Sequence, residues 1–202
     1  MYKKLTDAIK SLDVSSISDS RKQLLDPLSD YIAAKAGDSQ PIYLNFICTH
    51  NSRRSHLGQV WAQTMATYFD IPDVLAYSGG TETTAVFPKI IETLQVQGFQ
   101  IEMIDESENP LYAAAYSDDE AVYLFSKKYD DESNPESDFA AIMTCSDADE
   151  GCPFISGAEK RFAITYEDPK SSDNTDLQTQ TYLERSLQIA TEMKYVFSKV
   201  KS

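Results

Sequence analysis

The chain has 202 residues, 42% hydrophobic and 25% charged, with 18 Lys+Arg against 32 Asp+Glu and a formal net charge of -14. That length fits one α/β domain with additions, or two small domains, and the apolar fraction suffices for a sizeable core. The acidic balance argues against nucleic acid and anionic membrane as partners, no run approaches the roughly 18 apolar residues of a membrane helix, and three cysteines (Cys48, Cys145 and Cys152) are too few for a secreted disulfide scaffold.

The first residues, MYKKLTDAIKSLD, lack the apolar core of a secretory signal, so a cytoplasmic location is expected. Residues 1–38 read as helical. Ser18 suits an N-cap, and Leu24, Leu25, Leu28 and Ile32 line one face. Pro27 is expected to kink or divide that helix. Gly37 to Pro41 then reads as a linker, which makes residues 1–40 an N-terminal helical extension and 41–202 the main domain.

The core pattern begins with PIYLNFIC, a short buried strand, followed by helical spacing at Leu57, Val60, Trp61, Met65 and Tyr68. DVLAYSGG reads as a strand and turn, and FPKIIETLQVQG as a helix stopped by Gly98. LYAAAYSDDEAVYLF reads as a hairpin around Ser117 to Glu120, packed through its tyrosines. DFAAIMTC and RFAITYEDP are the next strands. Leu183, Leu187, Ala190, Met193, Phe197 and Val200 mark a closing amphipathic helix. Strands alternating with helices indicate a parallel sheet covered on both faces. Ligands of such sheets bind beyond the carboxyl ends of the strands, where Cys48, Cys145 and Asp168 should meet.

Cys48-Thr49-His50-Asn51-Ser52-Arg53-Arg54 joins the first of these strands to a helix starting near Ser55. Backbone N–H groups in such a loop can converge on an oxyanion, helped by the helix N-terminus. Arg54 can grip two oxygens of a tetrahedral anion. The same positive surroundings favour the thiolate of Cys48, and Ser55 can donate a hydrogen bond to it. Asn51 tolerates left-handed backbone. His50 reads as a loop residue and His56 as a helix-surface one. Gly79-Gly80 reads as a turn and lacks the spacing of a nucleotide fingerprint.

In MTCSDADEGCP, six residues separate Cys145 from Cys152, close enough for a disulfide if the turn permits. The short spacing of a zinc pair is absent. In YEDPK, Pro169 restricts Asp168 to extended geometry, from which its carboxyl can protonate a leaving oxygen. Glu167 competes for that role.

CTHNSRRS, TCSDADEGCP and EDP, in that order, resemble the thioredoxin-coupled arsenate reductases, which share the fold of the low-molecular-weight protein tyrosine phosphatases. The resemblance spans roughly residues 41–200. It implies a flavodoxin-like doubly wound parallel sheet, here with an N-terminal helical extension and an inserted hairpin. It also implies roles. Cys48 attacks arsenic in bound arsenate, held by the loop of Thr49, His50, Asn51, Ser52, Arg53, Arg54 and Ser55, while Asp168 protonates the departing oxygen. Cys145 then attacks Cys48, arsenite leaves, and Cys152 completes a Cys145–Cys152 disulfide that thioredoxin reduces.

Arg53, the middle of the chain and Gln59 depart from the pattern. Arg53 stands where Cys or Ala is common, and solvent is its expected direction. The stretches at 111–125 and 127–138 lengthen the middle of the chain. Gln59 replaces a Glu that some members associate with a bound potassium ion, for which Asn51 and Ser78 are further ligands; no other metal is expected. The rival reading is a phosphatase for phosphotyrosine or small phosphate monoesters, which uses Cys48, Arg54 and Asp168 alone. Lys170-Ser171-Ser172 after the Asp-Pro pair, where such phosphatases usually carry tyrosines, weighs against it. A non-catalytic oxyanion-binding or redox module is the third.

Overall fold

One strand sets the architecture by being apolar on both sides. In β1 (Ile42–Cys48), Ile42, Leu44 and Phe46 point to one face, and Tyr43 and Ile47 to the other. A strand buried twice over belongs at the centre of a covered parallel sheet. The computed structural model describes residues 1–151 and 154–200 and places it there. β1 lies between β2 (Val74–Gly80) and β6 (Phe139–Met143), with β7 (Ala158–Ala163) beyond β6, all parallel.

The first face carries the main core. It is covered by α2 (Asp19–Gly37), α3 (Arg54–Tyr68) and α6 (Gln178–Val200), with α4 (Pro88–Gln97) packed on α6. The second face is smaller. Phe139, Ala141 and Met143 of β6 pack there with Ile47, Tyr129, Ile155 and Ala148 of the short helix α5 (Ser146–Gly151). The chain leaves β1 through α3 to reach β2 on one side, then returns to β6 on the other. This is the topological switch point, where a crevice opens beyond the strand ends. The register puts Cys48 opposite Gly80 and Ile47 opposite Met143, so Cys48 and the residues after β6 share that rim.

Several local expectations need correction. Ser18 does cap α2, accepting from Arg21 N at 3.2 Å, but Pro27 leaves the helix unbroken. Its missing N–H strands only the carbonyl of exposed Gln23, which water can satisfy. Leu24 is 52% exposed; the buried stripe runs through Leu25, Leu28 and Ile32. The extension is also continuous with the core. Leu5 and Ile9 of α1 (Lys3–Ser11) join the same buried cluster as β1 and α6, each such side chain worth about 1.5–3 kcal/mol.

The hairpin forms as β4 (Tyr112–Ala115) and β5 (Ala121–Leu124). It gains an unforeseen partner, β3 (Gln100–Met103), paired antiparallel to β4. Ile101 is the one β3 residue packed on the core, too little to make a strand pattern. Of the hairpin tyrosines, Tyr116 is buried while Tyr123 is exposed. Gly79 and Gly80 end β2 and do not form a turn. A Cβ on Gly79 would lie 2.3 Å from the Tyr129 backbone, and one on Gly80 2.7 Å from the Thr49 carbonyl, so both positions need glycine for close approach.

β7 stops at Ala163, short of the predicted end, because β6 itself has ended. The chain still follows the rim: Ile164 N donates to Met143 O at 3.1 Å and Tyr166 N to Thr144 O at 3.0 Å. On α6 the expected Ala190, Met193 and Phe197 are buried, and the buried face continues through Tyr182, Ser186, Ile189 and Val196 in place of Leu183, Leu187 and Val200. Ser186 can be buried because it accepts from Trp61 Nε1 and donates to Gln97 Oε1. Among the described residues no helix is long and apolar enough to cross a membrane.

Candidate active site

The loop after β1 turns its carbonyls outward. Cys48 O accepts from Thr81 N, Thr49 O from Glu82 N, and Ser52 O from Phe87 N. His50 O accepts from the hydroxyls of Ser126 and Thr84, Asn51 O from His56 Nε2, and Arg53 O from Leu57 N. With its carbonyls held from behind, the backbone N–H groups of residues 49–53 have no acceptor among the described residues. Asn51 supports the bend with φ of 43°, a left-handed conformation Asn tolerates. The result is a nest of donors at the start of α3, suited to an anion.

Arg54 completes the cradle. Nη1 donates to Tyr166 O at 2.9 Å and Nη2 to Asp168 Oδ2 at 2.6 Å, while Nε is buried without a partner. A buried, unmatched guanidinium N–H is costly until something accepts from it, and an oxyanion oxygen is such an acceptor. Cys48, His50, Ser52, Arg53, Arg54 and Asp168 line one small pocket. Glu167 points away, 91% exposed and paired with Arg185, so Asp168 is the carboxylate at the cradle.

Beneath the pocket the nucleophile candidate is held by a relay of hydrogen bonds. Cys48 Sγ lies 3.1 Å from Ser55 Oγ. Ser55 Oγ already accepts from Asn51 Nδ2 at 2.9 Å, which leaves its O–H to donate to the sulfur. Asn51 Oδ1 in turn accepts from Lys127 N at 2.8 Å. A hydroxyl aimed at the sulfur holds it in place for attack as a nucleophile.

Solved structures share this arrangement of sheet and helices. The chain superposes on a low-molecular-weight phosphotyrosine phosphatase from Vibrio cholerae O395 with a TM-score of 0.52, at 12% identity, covering 78% of this chain and 94% of that one. It superposes on an arsenate reductase in the phosphate binding state with a TM-score of 0.50, at 17% identity, covering 79% and 98%. No family model matches the chain. The arsenate reductase of Staphylococcus xylosus is 30% identical over 141 residues, which is 70% of this chain and 87% of that protein. The chain belongs to the arsenate reductases of the low-molecular-weight protein tyrosine phosphatase family.

In this arsenate reductase-family chain, a second thiol stands beside the first. Cys145, 1% exposed, ends the segment after β6, and its Sγ lies 3.5 Å from Thr49 Oγ1. It belongs to the same buried cluster as Cys48, on the second face of the sheet. Both thiols are free. Cys152 lies outside the described residues.

Two residues point elsewhere than expected. Arg53 does not face solvent. Its Nε donates to Tyr182 OH at 2.7 Å, its Nη2 to Asp173 Oδ2 at 2.8 Å, and its guanidinium stacks 4.0 Å from the Phe87 ring centre. That leaves its backbone N–H for the cradle. His56 is not on the helix surface but fully buried, between Asn51 O at 2.8 Å and Ser78 Oγ at 3.2 Å. Since a carbonyl only accepts, Nε2 carries the proton. Burial, reinforced by the Lys127 ammonium, pushes the His56 pKa down to about 3.

The folded-state pKa of His56 lies below the ordinary 6.5. Its contribution is therefore fully present above pH 6.5 and is lost as pH falls toward 3. Denaturant titrations should show stability declining between pH 6.5 and 4.5, and the decline should be shallower in a His56→Gln variant.

The residues implied for potassium do not fit that ion here. Asn51 Oδ1 already accepts from Lys127 N, and Ser78 Oγ donates to Gln59 Oε1 at 2.7 Å. Gln59 brings no charge, and the Lys127 ammonium acts on the adjoining His56. Among the described residues no group of three His, Cys, Asp or Glu side chains could hold another metal. Lys127 itself was not singled out from sequence. Burial lowers its pKa to about 8, so it remains charged at neutral pH. Asp173 and Tyr182, which hold Arg53, were also missed; no local pattern marks them.

Proposed function

We propose that the chain reduces arsenate to arsenite through a thiol relay. Cys48 thiolate attacks arsenic in arsenate bound to the cradle, and Asp168 protonates the departing oxygen, which leaves as water. Cys145 thiolate then attacks Cys48 Sγ. The arsenic–sulfur electron pair stays with arsenic, which leaves as arsenite, two electrons richer, and a Cys48–Cys145 disulfide forms. Cys152 attacks Cys145 Sγ, Cys48 departs as a thiolate, and the Cys145–Cys152 disulfide is reduced by the dithiol of thioredoxin.

The observation that carries this reading is the second buried thiol, Cys145, within 3.5 Å of the cradle residue Thr49. A phosphatase has no use for it. The curated relatives named as arsenate reductases support the substrate class. The test is a coupled assay with NADPH, thioredoxin reductase, thioredoxin and arsenate. Arsenate-dependent NADPH oxidation is expected. Hydrolysis of p-nitrophenyl phosphate without any arsenate-dependent oxidation would favour the phosphatase reading, for which Cys48, Arg54 and Asp168 suffice.

A further inference from the structure

The N-terminal extension reaches the cradle through one residue of the rim. Arg21 of α2 donates from Nε and Nη2 to both carboxylate oxygens of Glu192 on α6, at 3.0 and 2.8 Å. Glu192 is 3% exposed and Arg21 partly exposed, so this fork is a part-buried ion pair. The Arg21 guanidinium also sits 4.9 Å from the ring centre of Tyr166. Tyr166 is buried in turn, and burial with the Glu192 carboxylate holds its phenol protonated, well above the usual tyrosine range.

The backbone of Tyr166 does two things at the site. Its N–H donates to Thr144 O at 3.0 Å, and its carbonyl accepts from Arg54 Nη1 at 2.9 Å. Thr144 is itself fastened to Ile47 O by both its N–H and its hydroxyl, one residue before Cys48. Asp168, two residues beyond Tyr166, takes the other end of the Arg54 fork. Past the end of β7 at Ala163 the segment is tied to the rim by two backbone bonds, Ile164 N to Met143 O and Tyr166 N to Thr144 O, so packing on the Tyr166 ring adds to what fixes its distance from Arg54.

We propose that Arg21 and Glu192 are positioning residues: by clamping the Tyr166 ring they hold its carbonyl against Arg54 and keep the guanidinium aimed at the bound oxyanion. The extension thereby sets oxyanion affinity from outside the pocket. A second tie between extension and α6 supplies the control. Asp26 of α2 accepts from Tyr195 OH at 2.7 Å and from Lys199 Nζ at 2.6 Å, a tie between the same two helices that is separate from the Arg21–Tyr166 contact.

This rests on the oxyanion cradle alone, not on arsenate reduction, so the two can fail separately. The probe is inorganic phosphate, titrated calorimetrically into the full chain, with thermal unfolding measured in parallel. Arg21→Ala should weaken phosphate binding by roughly 3- to 30-fold, and Arg21→Lys, which keeps the cation over the ring but loses the fork, should fall between it and wild type. Asp26→Asn should bind phosphate within about twofold of wild type even where it lowers the unfolding temperature. If Arg21→Ala does not fold, the Arg21→Lys and Asp26→Asn pair decides. Equal loss of affinity in the Arg21 and Asp26 variants, or none in the Arg21 variants, would overturn the proposal. So would a wild-type chain that binds no phosphate, which would remove the cradle as well.

Discussion

A Cys48→Ser variant should lose arsenate turnover by on the order of 10³–10⁶-fold while remaining folded and still binding inorganic phosphate. The site is 4% exposed, and the incoming hydroxyl finds the acceptor and donor that the thiol had, Ser55 Oγ at 3.1 Å. The stability cost should therefore stay near about 1–2 kcal/mol. The cradle's donors belong to the backbone of residues 49–53 and to Arg54, and none of them is altered. What disappears is the nucleophile: a serine hydroxyl has no thiolate form to present to the central atom. Turnover, phosphate affinity and unfolding temperature measured on one preparation check all three statements. Retained turnover would remove Cys48 from the chemistry.

The second large effect separates the two uses of the pocket. Cys145→Ser should bring steady-state arsenate reduction to background, yet leave p-nitrophenyl phosphate hydrolysis within about threefold of wild type. Cys145 packs with Cys48 in a cluster with Ile47, Met143 and Ala148, and its sulfur lies 3.5 Å from Thr49 Oγ1 of the cradle. Removing it leaves Cys48, Arg54 and Asp168 as they were. Their bound intermediate then has no second thiol to draw off arsenic. Cys152→Ser should behave differently, releasing a single equivalent of arsenite and stopping at a Cys48–Cys145 disulfide. Arsenite counts per enzyme, with thiol counts beside them, read both outcomes. If Cys145→Ser turns over arsenate like wild type, the relay is wrong.

How much of this was legible in the sequence depended on range. The strand–loop–helix at 42–68, the hairpin and the glycine stop at Gly98 are set by neighbours a few residues apart, and their patterns were readable. Asn51 in a left-handed bend and Ser55 against Cys48 followed from local chemistry. Arg53 was misread because its partners, Asp173 and Tyr182, lie 120 and 129 residues away. His56 is polar yet buried; its Nε2–H donates to Asn51 O, a partnership that periodicity does not reveal. The difference on α6 has the same origin: Ser186 is buried through hydrogen bonds from Trp61 and to Gln97 rather than through hydrophobicity. β3 was missed because Ile101 alone packs on the core.

The extension shows this limit most clearly. From its sequence it is an amphipathic helical arm with no stated role. In the folded chain Leu5, Ile9, Leu25, Leu28 and Ile32 complete the main core, and Arg21 is carried to within reach of the segment that holds Arg54. Neither the pairing with Glu192, 171 residues away, nor the contact with Tyr166 has a local signature.

The most direct test of the central claim needs no reductant at all. One equivalent of arsenate is mixed with the fully reduced chain, the reaction is quenched in acid, and the three cysteines are mapped by mass spectrometry. The relay predicts one equivalent of arsenite, a disulfide joining Cys145 to Cys152, and Cys48 recovered as a free thiol. Three free thiols with no arsenite, in a chain that hydrolyses p-nitrophenyl phosphate, would contradict it.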